Sequence, residues 1–343
     1  MTVEPAPQLP RHGVVSAAAA SARRGASVPW PAVIAFVLVA CGLAWLVALP
    51  LWFGEGLASP LAPLILPLMM LAPAAATLVV LFVFRVPSQG RSRFLGLWPL
   101  RPAGRFVLFL ALALLLPIVI VVATALLAGA LGLVRLDLVG FSGFAAQLAG
   151  SAPAGALPPV PVLVAVQFAA LPLGAVVNSV LAFGEEIGWR GWLQTALLPL
   201  GTWPALLITG AVWGLWHAPV ILLGYNFARP DIVGVLLMVG GCVAWGVLFG
   251  WLRLRGASLW PAVLAHGSLN AVAGIVIVLA AAGVAPDLGW AGPLGVVSWA
   301  VLALVVGVIV LIRQFRPGTL AAPRTPVTPA AVAAATAAEG EFR

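Results

Sequence analysis

From Trp30 to Phe53 the chain carries no charged side chain, and apolar runs of this length recur along it. A helix rises 1.5 Å per residue, so about 20 apolar residues cross the hydrocarbon core of a bilayer. The sequence therefore reads as all-α, a polytopic transmembrane helical bundle of about eight spans. They fall near 30–53, 61–84, 106–134, 171–198, 204–224, 232–252, 259–283 and 292–312. The composition agrees: 63% of the residues are hydrophobic, 8% are charged and the mean hydropathy is +1.16.

Charge orients the bundle. All 17 basic residues are Arg, and the formal net charge is +8. Basic patches interleaved with aromatics are absent, so nucleic acid is not the expected partner. The arginines instead cluster in alternate connections. With the N-terminus in the cytoplasm, only Arg135 and Arg229 fall outside, while Glu55, Asp137, Asp231 and Asp287 lie in outer loops. The positive-inside rule then places both termini in the cytoplasm. Arg23 and Arg24 precede a first apolar run too long for a signal peptide, which reads as a retained span. The absence of Lys and the abundance of Ala, Gly and Pro point to a GC-rich bacterial genome. The expected location is a bacterial plasma membrane, crossed many times.

Five segments follow. Residues 1–29 and 317–343 read as disordered cytoplasmic tails. Residues 30–160 hold the first helices and loops, 160–283 the chemically distinctive core, and 284–316 the last span. Pro172 offers a break in a long apolar stretch, which suggests an outer loop or re-entrant piece at 155–170 before a spanning helix at 171–198. "FLGLWPL" (94–100) is too short to span and fits the membrane interface. Matching broken helices in two halves are absent, which weighs against an inverted-repeat carrier.

Ionisable side chains are expensive inside a bilayer and point to function. The candidates here are Glu185, Glu186, Arg190, His217 and His266, accompanied by Asn178 and Asn270. Glu186 and Arg190 are four apart, share a helical face and are expected to pair. Glu185 projects about 100° away, without a cation on its face. Counting from a turn centred on Gly201, Glu185 and His217 are both 16 residues out, so a hairpin sets them level and able to share a water molecule. His266 and Asn270 share a face of the seventh span. His266 is only ten residues from the inner loop at Gly256, so its depth disagrees with that of Glu185 unless the 199–203 turn protrudes or the helices tilt. A carboxylate and an imidazole can activate water, and a second imidazole with an amide can stabilise an oxyanion. That set implies hydrolysis of an acyl bond. Asn178 reads as packing, and Gln194 and Thr195 as residues near the inner interface without a special role. Cys41 and Cys242 read as small apolar-run residues.

Three stretches carry a resemblance. "EEIGWR" (185–190), "WGLWH" (213–217) and "HGSLN" (266–270) resemble the EExxxR, aromatic-xxx-His and HxxxN motifs of the CPBP family, the CAAX protease and bacteriocin-processing or Rce1-like proteins. The likeness spans about residues 160–280. It implies an intramembrane endopeptidase acting on membrane-associated or CAAX-like peptides, in a cavity open toward the cytoplasm. Glu185 and His217 match the pair that activates water, and His266 and Asn270 the oxyanion pair. Glu186, Arg190 and Trp213 match supporting positions. Trp213 stands where Phe is common, with no expected change in the chemistry.

Cofactors are not expected. Glu185, His217 and His266 could hold Zn²⁺ as three ligands, but HExxH is absent and the three come from separate helices. The expected partners are a peptide or membrane-protein substrate and the lipid bilayer. The alternative is a non-enzymatic protein of the same fold: a proton-coupled carrier, or an immunity or scaffold protein.

Overall fold

The computed structural model describes residues 27–98, 100, 102–149, 157–316 and 318–320. The expected tails lie outside the described residues except for 27–29 and 318–320. Eight helical elements build the bundle. They are α1 (Trp30–Trp52), α2 (Ala62–Phe82), α3 (Ala103–Ala130), α4 (Val160–Leu200), α5 (Thr202–Trp216), α6 (Ile232–Arg255), α7 (Trp260–Leu279) and α8 (Leu288–Leu311). No strand occurs among the described residues, which hold one isolated bridge between Leu136 and Ala280. The chain is a polytopic all-α membrane bundle.

Seven of these helices are long and apolar enough to cross a bilayer on their own, and the remaining one reaches the level of Trp52 at the far end of α1 only with the short turn that follows it. The exception is α5, which stops after 15 residues. His217 interrupts it, and a short turn of helix, Ala218–Ile221, follows. Pro219 explains the break. It has no N–H to donate and its ring crowds the preceding turn. Its carbonyl accepts the Trp52 indole N–H at 2.9 Å, which ties the break to the end of α1.

The second correction concerns α4. Helix begins at Val160 and runs unbroken through Pro172, so 160–170 is part of the long helix and not an outer loop or a re-entrant piece. A proline costs less in an apolar helix whose neighbours can re-satisfy the freed carbonyl. At 41 residues α4 is about 60 Å long, twice the hydrocarbon core, so it must tilt or project.

Small residues set the packing. The inner face of α1 is Ala32, Phe36, Ala40, Ala44, Ala48 and Leu51, one residue per turn, while Ile34, Leu38 and Leu46 face outward. A ridge of alanines lets neighbouring backbones approach closely, the main source of helix attraction where lipid is the solvent. Gly210 of α5 does the same against α6. A methyl group there would stand 2.7 Å from the Val243 Cα.

Candidate active site

The "GEEIGWRGWL" stretch is not plain α-helix. Residues Ile187–Leu193 form a π-helix inside α4, directly after the two glutamates. Such segments are rare and cluster at functional sites. Two glycines seat it. A Cβ on Gly184 would lie 2.7 Å from the Met70 carbonyl, and one on Gly188 would lie 2.6 Å from Pro73. These glycines let α4 press on the turn in the middle of α2.

The two adjacent carboxylates enter different environments. Glu186 Oε1 accepts from Arg190 Nη1 at 2.6 Å and from His266 Nδ1 at 2.9 Å. Both Glu186 and Arg190 are fully buried. The Arg190 guanidinium also lies 4.2 Å over the Trp213 ring and 5.3 Å over Phe249. Pairing Glu186 with Arg190 is what their spacing predicts; the bond from His266 is additional.

Glu185 points elsewhere, 2% exposed, into a different set of neighbours. Its Oε2 accepts the Trp213 indole N–H at 2.7 Å and the Trp189 indole N–H at 3.3 Å. The partner in the hairpin is therefore Trp213, one turn earlier than His217. A π-helix advances less per residue than an α-helix, so 16 residues of α4 reach less far from Gly201 than 16 residues of α5. His217 Nδ1 bonds the Trp213 carbonyl at 2.9 Å. If Nδ1 carries the proton, Nε2 is an acceptor.

The depth mismatch also has a structural answer. His266 and Glu186 touch, so they share a level, and the shorter arm of α7 is underlaid by another segment. The Phe94 and Gly96 carbonyls accept from Arg253, Ser258 and the Leu259 amide. Phe94 and Leu95 are buried there, so the first part of "FLGLWPL" is a packed support beneath α7, with Trp98 exposed.

Glu185, Trp213, His217, His266 and Asn270 all line one cavity of about 440 Å³. Asn178 lines it too, although its amide also bonds back to the Gly174 carbonyl within its own helix. The cavity reaches Met70 of α2, Tyr225–Phe227 between α5 and α6, and Leu288 at the start of α8. It meets a second hollow lined by Gly224–Asp231 and Pro286–Leu288. The cavity thus lies toward the face of the 222–231 loop, opposite the 198–201 and 256–259 turns. If the termini are cytoplasmic, as the arginine distribution leads one to expect, that face is the outer one.

Sequence reasoning missed several neighbours. Trp189 is four residues from Glu185, the same spacing that revealed the Glu186–Arg190 pair. Phe249 lies 5.8 Å from His266, ring centre to ring centre, and nothing local in its sequence marks it. Cys242 Sγ stands 3.9 Å from His217 Nδ1. Tyr225, the chain's single tyrosine, lines both hollows; burial and the nearby Glu185 carboxylate push its phenol above the usual range. Gln194 and Thr195 are buried in the bundle, and Gln194 Nε2 donates to the Gly250 carbonyl at 3.4 Å.

Among the described residues no group of three or more His, Cys, Asp or Glu side chains is placed to hold one ion. Both bonds to Glu185 end on indole donors, and His266 Nδ1 is committed to Glu186.

Comparison with known families gives one match. Residues 166–272 fit the family described as type II CAAX prenyl endopeptidase Rce1-like. A search of curated proteins finds no match. The matched stretch runs from the middle of α4 to α7 and contains every residue of the candidate site.

Proposed function

Residues 166–272 form an Rce1-like domain of the CPBP family, and from that premise we propose that the chain is an intramembrane endopeptidase using Glu185 as its base. The observation that carries the reading is the state of Glu185: buried, held at one oxygen only, and facing a cavity shared with two imidazoles and an amide. A water between Glu185 and His217 Nε2 loses one proton to Glu185. Its oxygen attacks the carbonyl carbon of the scissile peptide bond. Asn270 donates to the resulting oxyanion, and a second donation from His266 Nε2 requires a proton on both ring nitrogens, because Nδ1 is already given to Glu186. The tetrahedral intermediate collapses by expelling the amine, which takes the proton from Glu185. Water is thus divided between a new carboxyl and a new amino terminus, and no metal enters a step.

The substrate is a membrane-associated or CAAX-like peptide. With both termini in the cytoplasm, it enters from the opposite side, through the mouth at Tyr225–Phe227. The test is hydrolysis of a quenched fluorogenic CAAX-like peptide by the purified chain, alongside N-terminal proteomics of membranes carrying wild type or Glu185→Gln. Wild type is expected to cleave after exhaustive chelation. Glu185→Gln should be slower by about 10³-fold, the scale of a lost general base. Equal cleavage by both proteins would sink the mechanism.

A further inference from the structure

We infer that Trp213 is the positioning residue of this site: its indole N–H holds Glu185 Oε2 and leaves Oε1 to take the proton from water. The inference rests on the role proposed above for Glu185. Trp213 touches Glu185, His217, His266 and Arg190. Its Nε1 stands 2.7 Å from Glu185 Oε2. Its carbonyl, 2.9 Å from His217 Nδ1, fixes that ring with Nε2 free for the water. Its ring face carries the Arg190 guanidinium at 4.2 Å, and its ring meets His266 in a T-shaped contact, centroids 5.3 Å apart. It therefore joins the Glu185 half of the site to the Glu186–Arg190–His266 half.

The indole N–H separates this residue from a plain aromatic. A phenyl ring at position 213 would keep the contacts to Arg190 and His266, and the backbone carbonyl would still hold His217. Only the bond to Glu185 would be lost. Trp189 donates to the same oxygen, but at 3.3 Å its bond is weaker. With both donors on Oε2, the carboxylate cannot turn, and Oε1 is fixed for attack geometry. A donor to a carboxylate also favours its charged form, the form a general base needs.

Trp213→Phe in the full-length chain tests this. At neutral pH kcat should fall about tenfold with KM unchanged, and the acid limb of the kcat profile should move about one unit toward higher pH, the scale of one hydrogen bond to a charged group. Trp189→Phe should move the same limb the same way by less. A Trp213→Phe profile that superimposes on wild type would overturn the inference. Should that variant not be recovered folded, Trp189→Phe decides: a shifted limb supports the clamp, and an unshifted one overturns it. Glu185→Gln separates the two levels. If it remains active, the proposed function fails; if it is inert while Trp213→Phe matches wild type, only the positioning role fails.

Discussion

Among the described residues, two Arg–carboxylate pairs of nearly equal length lie in opposite surroundings. Arg190 and Glu186 meet at 2.6 Å at the floor of the cavity, both fully buried. Arg229 and Asp287 meet at 2.7 Å at its mouth, each 40% exposed. Geometry alone would rank them equal, and solvation separates them. At the floor, each charge depends on the other because neither can turn to water. At the mouth, water and salt screen the pair, and each partner can stand alone. The floor is therefore fixed by its charges, whereas the mouth, where Arg229 joins the 222–231 loop to the 284–288 segment, is adjustable.

Breaking the floor pair should have the largest effect. Arg190→Met leaves Glu186 with the His266 imidazole as its one remaining partner and is expected to lower stability by up to about 3–5 kcal/mol, the cost of a buried charge that has lost its counter-ion. Thermal unfolding in detergent measures it. The double variant Glu186→Leu with Arg190→Met should recover part of the loss, because no stranded charge remains. If the double variant is no more stable than Arg190→Met alone, the pair is not what fixes the floor.

Accessibility comes next. In a background of Cys41→Ser and Cys242→Ser, Asn226→Cys at the mouth should react with a membrane-impermeant maleimide in intact cells and lose that reaction once the reagent is quenched outside. Labelling only in inverted vesicles would reverse the orientation of the bundle and return the mouth to the cytoplasm.

The smallest effect belongs to the mouth pair. Arg229→Ala should cost less than about 1 kcal/mol, and high salt should shrink the difference further. A cost comparable to that of Arg190→Met would erase the contrast between the two regions.

Much of this was legible in the sequence because bilayer physics leaves few choices. Apolar length gave the spans, and the scarcity of charge singled out Glu185, Glu186, Arg190, His217 and His266. Helical spacing separated the surroundings of the two glutamates. Other features depended on contacts between distant segments. Pro172 reads as a break, but an apolar helix with packed neighbours absorbs it. Pro219 does break its helix, because Trp52 and the chain end of α5 stabilise the interruption. Phe249 reaches the site from α6, and no periodicity in that helix distinguishes it from the surrounding core. The indole bonds to Glu185 were hidden because Trp in an apolar run reads as interface or packing. Trp189 and Trp213 are buried packing residues that also donate hydrogen bonds.

The π segment at Ile187–Leu193 has a consequence for descent. A π turn holds about one residue more than an α turn. Deleting a single residue there would let α4 close as ordinary helix and swing Glu185 by about 100° relative to Leu198–Gly201. The indoles would then face an empty wall. Read in reverse, one inserted codon in a plain membrane hairpin is enough to turn a glutamate toward Trp213. One residue of chain length in this segment thus separates the observed Glu185–Trp213 contact from a plain helical hairpin.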